Sequence, residues 1–154
     1  MARKRRTFGK GASGPWVGNE AQRVGFERNA FLLYQTLQVV ADQSAVRAYR
    51  VIVDVPHYEP RTVQVRLERT RPRTPVVTVD GPTDSPHRYS DGSLCMWYPN
   101  DPATQRWVFA NGLPALIGHI QAHLFREAWR REYGWWPGAE AGHSPRVRSE
   151  AASE

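Results

Sequence analysis

The feature that most limits the fold of this chain is a change of side-chain period between Ala48 and Asp80. Tyr49, Val51, Val53 and Val55 alternate with Arg50, Ile52 and Asp54 before the segment PHYEP interrupts the run. From Thr62 to Glu68, Val63, Val65 and Leu67 alternate with Gln64 and Arg66. A period of two gives an extended strand one apolar face and one wet face. The two runs read as the arms of a hairpin. A third β-rich run, PVVTVDG, closed by Gly81-Pro82, completes an antiparallel meander of three strands.

On both sides of the meander the period is helical. Asn19 stands where a cap belongs before EAQRVGFERNAFLLYQTLQVV. Phe26, Ala30, Leu33 and Leu37 share one face there, while Arg23, Glu27 and Arg28 fall elsewhere, which predicts a helix over 19–40 that Gly25 weakens. Asn111-Gly-Leu-Pro114 opens a second helix, since proline is tolerated in a first turn. Its apolar stripe is Leu113, Leu116, Ile117, Ile120 and Leu124, and it ends by Gly134. Helix, strands, long loop, helix is an α+β order, with helices covering one face or end of an antiparallel sheet.

Residues 82–106 contain Pro82, Pro86, Pro99, Pro102, Gly92 and Asn100 among Asp and Ser turn formers, which excludes a long regular element. Connections in compact domains usually run roughly 4 to 6 residues, and much longer ones tend to be functional. Cys95, the only cysteine among the 154 residues, lies in this loop, so neither an internal disulfide nor a cysteine-rich zinc site supports the fold. With 40% hydrophobic residues the chain has material for one packed core, expected over 19–140. The flanks, 1–18 and 141–154, read as a disordered basic tail and a polar tail.

Arg3, Lys4, Arg5 and Arg6 supply much of the formal charge of +6, so the excess reads as a solvated tail rather than a specific nucleic-acid reader. No apolar run approaches the ~20 residues of a membrane span. MARKRRTFGKG lacks the apolar stretch of a secretory signal. The expectation is a soluble cytoplasmic protein without a membrane partner.

A lone cysteine is ordinarily an inert core residue. A nucleophilic thiol must instead be reachable, partly ionised, and near donors aimed at the oxygen of the acyl group it attacks. Gly92 upstream allows reach, His87 supplies a partner, and the backbone amides of the turn supply donors. The alternative for His87 is a side chain that stabilises the turn. Asp101, six residues after Cys95, is placed to orient an attacking amine or else to build an Asn-Asp-Pro turn. Trp97 is expected to anchor the loop to the core.

Ser85-Pro86-His87, then Asp91-Gly92, then Leu94-Cys95 resembles the active-site segment of ubiquitin-conjugating enzymes, in which a His-Pro-Asn motif precedes a turn, an aliphatic residue and the catalytic cysteine. The order of elements over 19–140 is similar as well. The resemblance implies that Cys95 accepts the C-terminal acyl group of a protein as a thioester and passes it to an amine, with no cofactor of its own. His87 occupies the slot of the oxyanion-stabilising asparagine, where an imidazole both donates a hydrogen bond and takes a proton. The ending WWPGAEAGH, with HRYSDGSLCMWYPNDP, resembles the bacterial ubiquitin-conjugating-like proteins of antiphage operons built on cyclic-oligonucleotide signalling. Partners implied are a cyclic-oligonucleotide synthase of the nucleotidyltransferase class or a ubiquitin-like protein, and a separate activating enzyme, because the chain resembles the stand-alone versions. Two other classes stay open. One is a non-catalytic binding scaffold of the same fold. The other is a papain-like cysteine hydrolase, which sets its cysteine at a helix N-terminus, whereas Cys95 precedes MWYPNDP.

His119 and His123, four apart on the second helix, have metal-ligand spacing, but Ile120 stands where a zinc protease needs Glu, so they read as surface or half-buried histidines. His143 either folds back toward the cysteine or belongs to the tail. Trp135 and Trp136 read as a core cap, with a partner-binding patch as the alternative.

Overall fold

The computed structural model describes residues 19–139, apart from 69, 70 and 99 and the side chains of 71–73. The two tails and His143 lie outside the described residues. Helix α1 (Glu20–Glu27) starts where Asn19 Oδ1 accepts the Gln22 amide at 3.2 Å, so the predicted cap forms. The helix then stops short of the expectation. Asn29 turns left-handed at φ 64°, leaving a four-residue α2 (Ala30–Leu33). The rest of the expected helix is a strand, β1 (Gln38–Asp42), and Leu33 is 64% exposed rather than in the core.

The antiparallel sheet therefore has four strands in sequential order: β1, β2 (Val46–Val53), β3 (Arg61–Glu68) and β4 (Arg71–Val79). The alternation read from the sequence sets its faces. Tyr49, Val51, Val53, Val63, Val65, Leu67 and Val77 are buried, while Arg50, Ile52, Gln64 and Arg66 between them are exposed. Register follows, with Tyr49 opposite Val65 and Val51 opposite Val63.

After a 3-10 turn (Phe109–Asn111), helix α3 (Gly112–Tyr133) carries the predicted stripe, every member of which is buried in the same core as the sheet's inner face. Gly134 ends it left-handed at φ 84°, its amide bonded to the Arg130 carbonyl at 2.8 Å. Two ion pairs orient the helices, one part-buried and one buried. Arg47 on β2 reaches Glu27 at the end of α1 at 2.6 Å, with the Tyr49 hydroxyl donating to the same carboxylate at 2.6 Å. The second pair, Arg88 with Glu127, belongs to the site below.

Gly112 is the joint between the 3-10 turn and α3. Its φ is 83°, a Cβ there would lie 3.2 Å from the Phe26 carbonyl oxygen, and its own carbonyl accepts the Trp107 indole N–H at 2.9 Å. Gly112→Ala is expected to cost about 1–3 kcal/mol of unfolding free energy, read as a lower urea midpoint at unchanged slope.

Candidate active site

The segment after β4 folds back as a small hairpin. Arg88 and Leu94 form an antiparallel bridge, flanked by the Tyr89 amide to the Ser93 carbonyl and the Cys95 amide to the His87 carbonyl, each 2.9 Å. The connection Ser90-Asp91-Gly92 closes with Gly92 at φ 83°, and Asp91 Oδ1 accepts the Ser93 amide at 2.9 Å. The Leu94 amide donates to the Val77 carbonyl at 2.9 Å and anchors the hairpin to β4.

Side chains alternate across this ribbon as across any strand pair. Arg88 and Leu94 are buried, so their neighbours His87 and Cys95 stand opposite each other on the other face, both half-buried. The thiol sits at the wall of a cleft and not in the core. Among the described residues no helix begins behind it, because 96–98 and 100–108 are irregular and α3 starts at Gly112.

The cleft is small, about 110 Å³, and is shared by His87, Cys95, Asp101, His123, Arg126 and Trp136. Trp136 forms its lid, with the indole centred 4.2 Å from the His87 ring and 5.3 Å from the His123 ring. Of the tryptophan pair only Trp136 caps buried structure, since Trp135 is 55% exposed. Trp97 packs on the core at 6.1 Å from Trp107, the anchoring role expected of it. Asp101 builds the turn read from the sequence, its Oδ2 accepting the Tyr98 amide at 2.8 Å, and also stands at the cleft wall.

His123 corrects the expectation for the helical histidines. His119 is exposed, but His123 is 4% exposed, turned inward against Glu127 with Nε2 3.2 Å from Oε1. Glu127 is the hub of the site. Arg88 Nε and Nη2 donate to its two oxygens at 2.7 Å each, and Arg131 Nη2 donates at 3.2 Å. Arg88 also donates to the Gly92 carbonyl at 2.9 Å, and Arg131 to the Pro82 carbonyl at 3.2 Å, so one carboxylate on α3 ties down the tip of the hairpin and the segment that leads into it. Sequence reasoning missed Arg88 and Glu127. The signal was present on α3, where Glu127 extends the stripe of Ile120 and Leu124 by one turn, a position an unpaired charge would not occupy.

Among the described residues no group of three His, Cys, Asp or Glu is arranged to hold a metal ion, and no helix is long and apolar enough to cross a membrane. Comparison with protein-family models, curated proteins and solved structures finds no match.

Burial pushes the Glu127 carboxyl up, but the bonds from Arg88 and His123 outweigh it and hold the group down at about 2. A folded-state value below the unfolded one gives stability that is present above pH 4.5 and is lost as pH falls toward about 2. Denaturant midpoints measured across that window are expected to fall for the wild type and to stay flatter for a paired Arg88→Met, Glu127→Leu variant. Glu127→Ala alone strands a buried guanidinium and is expected to cost roughly 3–5 kcal/mol, most of it recovered in the paired variant.

Proposed function

We propose that the protein is an acyl-transfer enzyme of the ubiquitin-conjugating type, in which the Cys95 thiolate takes the C-terminal acyl group of a protein as a thioester and an amine then takes it to form an amide. The observation that carries this reading is the ribbon register that sets a half-buried thiol directly opposite an imidazole, at the wall of a cleft of about 110 Å³. Pockets for free small molecules commonly run roughly 300–1,000 Å³. A cleft this narrow suits the thin end of a chain delivered from outside: an extended C-terminus on one side and an amine on the other. A thioester is already an activated donor, so positioning the amine and holding the oxyanion are the main tasks left. His87 is the proposed donor to that oxyanion and acceptor of the amine proton, and Asp101 the residue that orients the amine.

The order of elements also supports the reading: one N-terminal helix, a sequential antiparallel meander, an irregular cysteine segment and a long helix. The setting proposed is bacterial antiphage defence, with a cyclic-oligonucleotide synthase or a ubiquitin-like protein as the donor, charged by a separate activating enzyme. A papain-like hydrolase is disfavoured because Cys95 lacks a helix N-terminus behind it.

Incubated with the products of neighbouring genes and ATP, the protein is expected to form an adduct on a non-reducing gel that thiol reductant removes. Cys95→Ser should convert it to a reductant-resistant ester, and Cys95→Ala should abolish it. An adduct that survives in Cys95→Ala would leave the scaffold reading. His87→Ala is expected to slow amide formation by roughly 10²-fold or more while slowing thioester formation less; equal losses in both steps would assign His87 to the turn.

A further inference from the structure

His123 is a polar residue where α3 is otherwise apolar. Leu116 lies two turns before it, Ile120 one turn before, and Leu124 beside it, all buried. The ion pair of Arg88 with Glu127 clamps the hairpin without help from an imidazole. Yet the imidazole is present, buried, and at the cleft wall with Cys95.

Its bond to Glu127 fixes which nitrogen carries the proton. An ionised carboxylate only accepts, so Nε2 must donate to Oε1, and in the neutral ring Nδ1 is then the acceptor. A base oriented by a buried carboxylate beside a nucleophile is the arrangement shared by enzymes that hydrolyse an acyl intermediate. The cleft also has room for a second reactant. Its volume of about 110 Å³ admits a few waters among polar side chains.

We propose that the Cys95 cleft has a second activity, hydrolysis of its own acyl-thioester, with His123 as the proton acceptor and Glu127 as the residue that positions it. The inference rests on the acyl-Cys95 reading above. Water attacks the carbonyl carbon as its proton passes to His123 Nδ1. The new C–O bond forms, the C–S bond breaks, sulfur leaves as thiolate and regains the proton, and the products are a carboxylic acid and the thiol. Any substrate is thus an acyl thioester carried on this chain, and the outcome is discharge when no amine is bound. The charged and titratable groups around His123 are Glu127, Arg126 and His119 on its own helix, and His87, Arg88, Cys95 and Asp101 on the segment packed against it.

The test uses 4-nitrophenyl acetate, an activated ester that acylates thiols, with the full chain and no partner. Wild type is expected to release a burst of nitrophenolate equal to its single thiol and then turn over steadily. The steady rate should rise with pH through one ionisation. His123→Gln is expected to be acylated still at about pH 8.5, where an ordinary thiol ionises unaided. It should then discharge at least about tenfold more slowly, lose the pH rise, and accumulate the acetyl adduct in the intact mass. A melting temperature equal to that of wild type separates this from unfolding, and Glu127→Gln should show the same loss of pH dependence. If His123→Gln discharges at the wild-type rate with the wild-type profile, the inference is overturned while the acyl-transfer reading stands. If the wild-type thiol is not acylated at all, both fall together.

Discussion

The site depends on one buried carboxylate. Glu127 holds Arg88 through two parallel bonds of 2.7 Å, and Arg88 in turn holds the Gly92 carbonyl, so the hairpin carrying the thiol is fastened to the longest helix of the chain. Such a pair contributes little net energy over a well-packed apolar pair. Its contribution is geometric, because a planar guanidinium donates to a carboxylate in essentially one orientation. Beside it, the bond from the Leu94 amide to the Val77 carbonyl ties the turn over 88–94 to β4.

The same carboxylate serves a third group, His123, and this is where structure and chemistry meet. Arg88 faces the interior, His87 and Cys95 face the cleft, and the imidazole of His123 enters from the helix side beneath Trp136. The two long elements are tied down by the same device. Glu27 and Arg47 fasten the end of α1 to β2 much as Glu127 and Arg88 fasten α3 to the hairpin. In both cases a helix-borne acid meets an arginine from an extended segment.

How much of this was legible in the sequence depended on whether a signal was local. The faces of β2 and β3 and the stripe of α3 follow from periodicity, which a single segment carries whole. The end of α1 did not, because Phe26, Ala30, Leu33 and Leu37 keep helical spacing across a left-handed Asn29, and an asparagine at that setting looks like any other helical residue. Tertiary pairing with β2 then claimed Gln38–Asp42 for the sheet. For the site, Cys95, His87 and Asp101 were readable because they are neighbours in sequence. Glu127 and His123 come from α3, and only the fold brings them to the cysteine.

The ribbon over His87 to Cys95 works by parity. Odd and even positions face opposite ways, so the thiol and imidazole on one side and the clamping arginine on the other share one short segment without competing for space. Point substitutions at the tip, Ser90 or Asp91, alter the turn but leave that counting intact. Insertion or deletion of a single residue there would slip one arm of the ribbon against the other, so that the sulfur and the guanidinium could no longer keep opposite faces. The site therefore depends on the number of residues in this stretch more than on the identity of Ser90 at its tip.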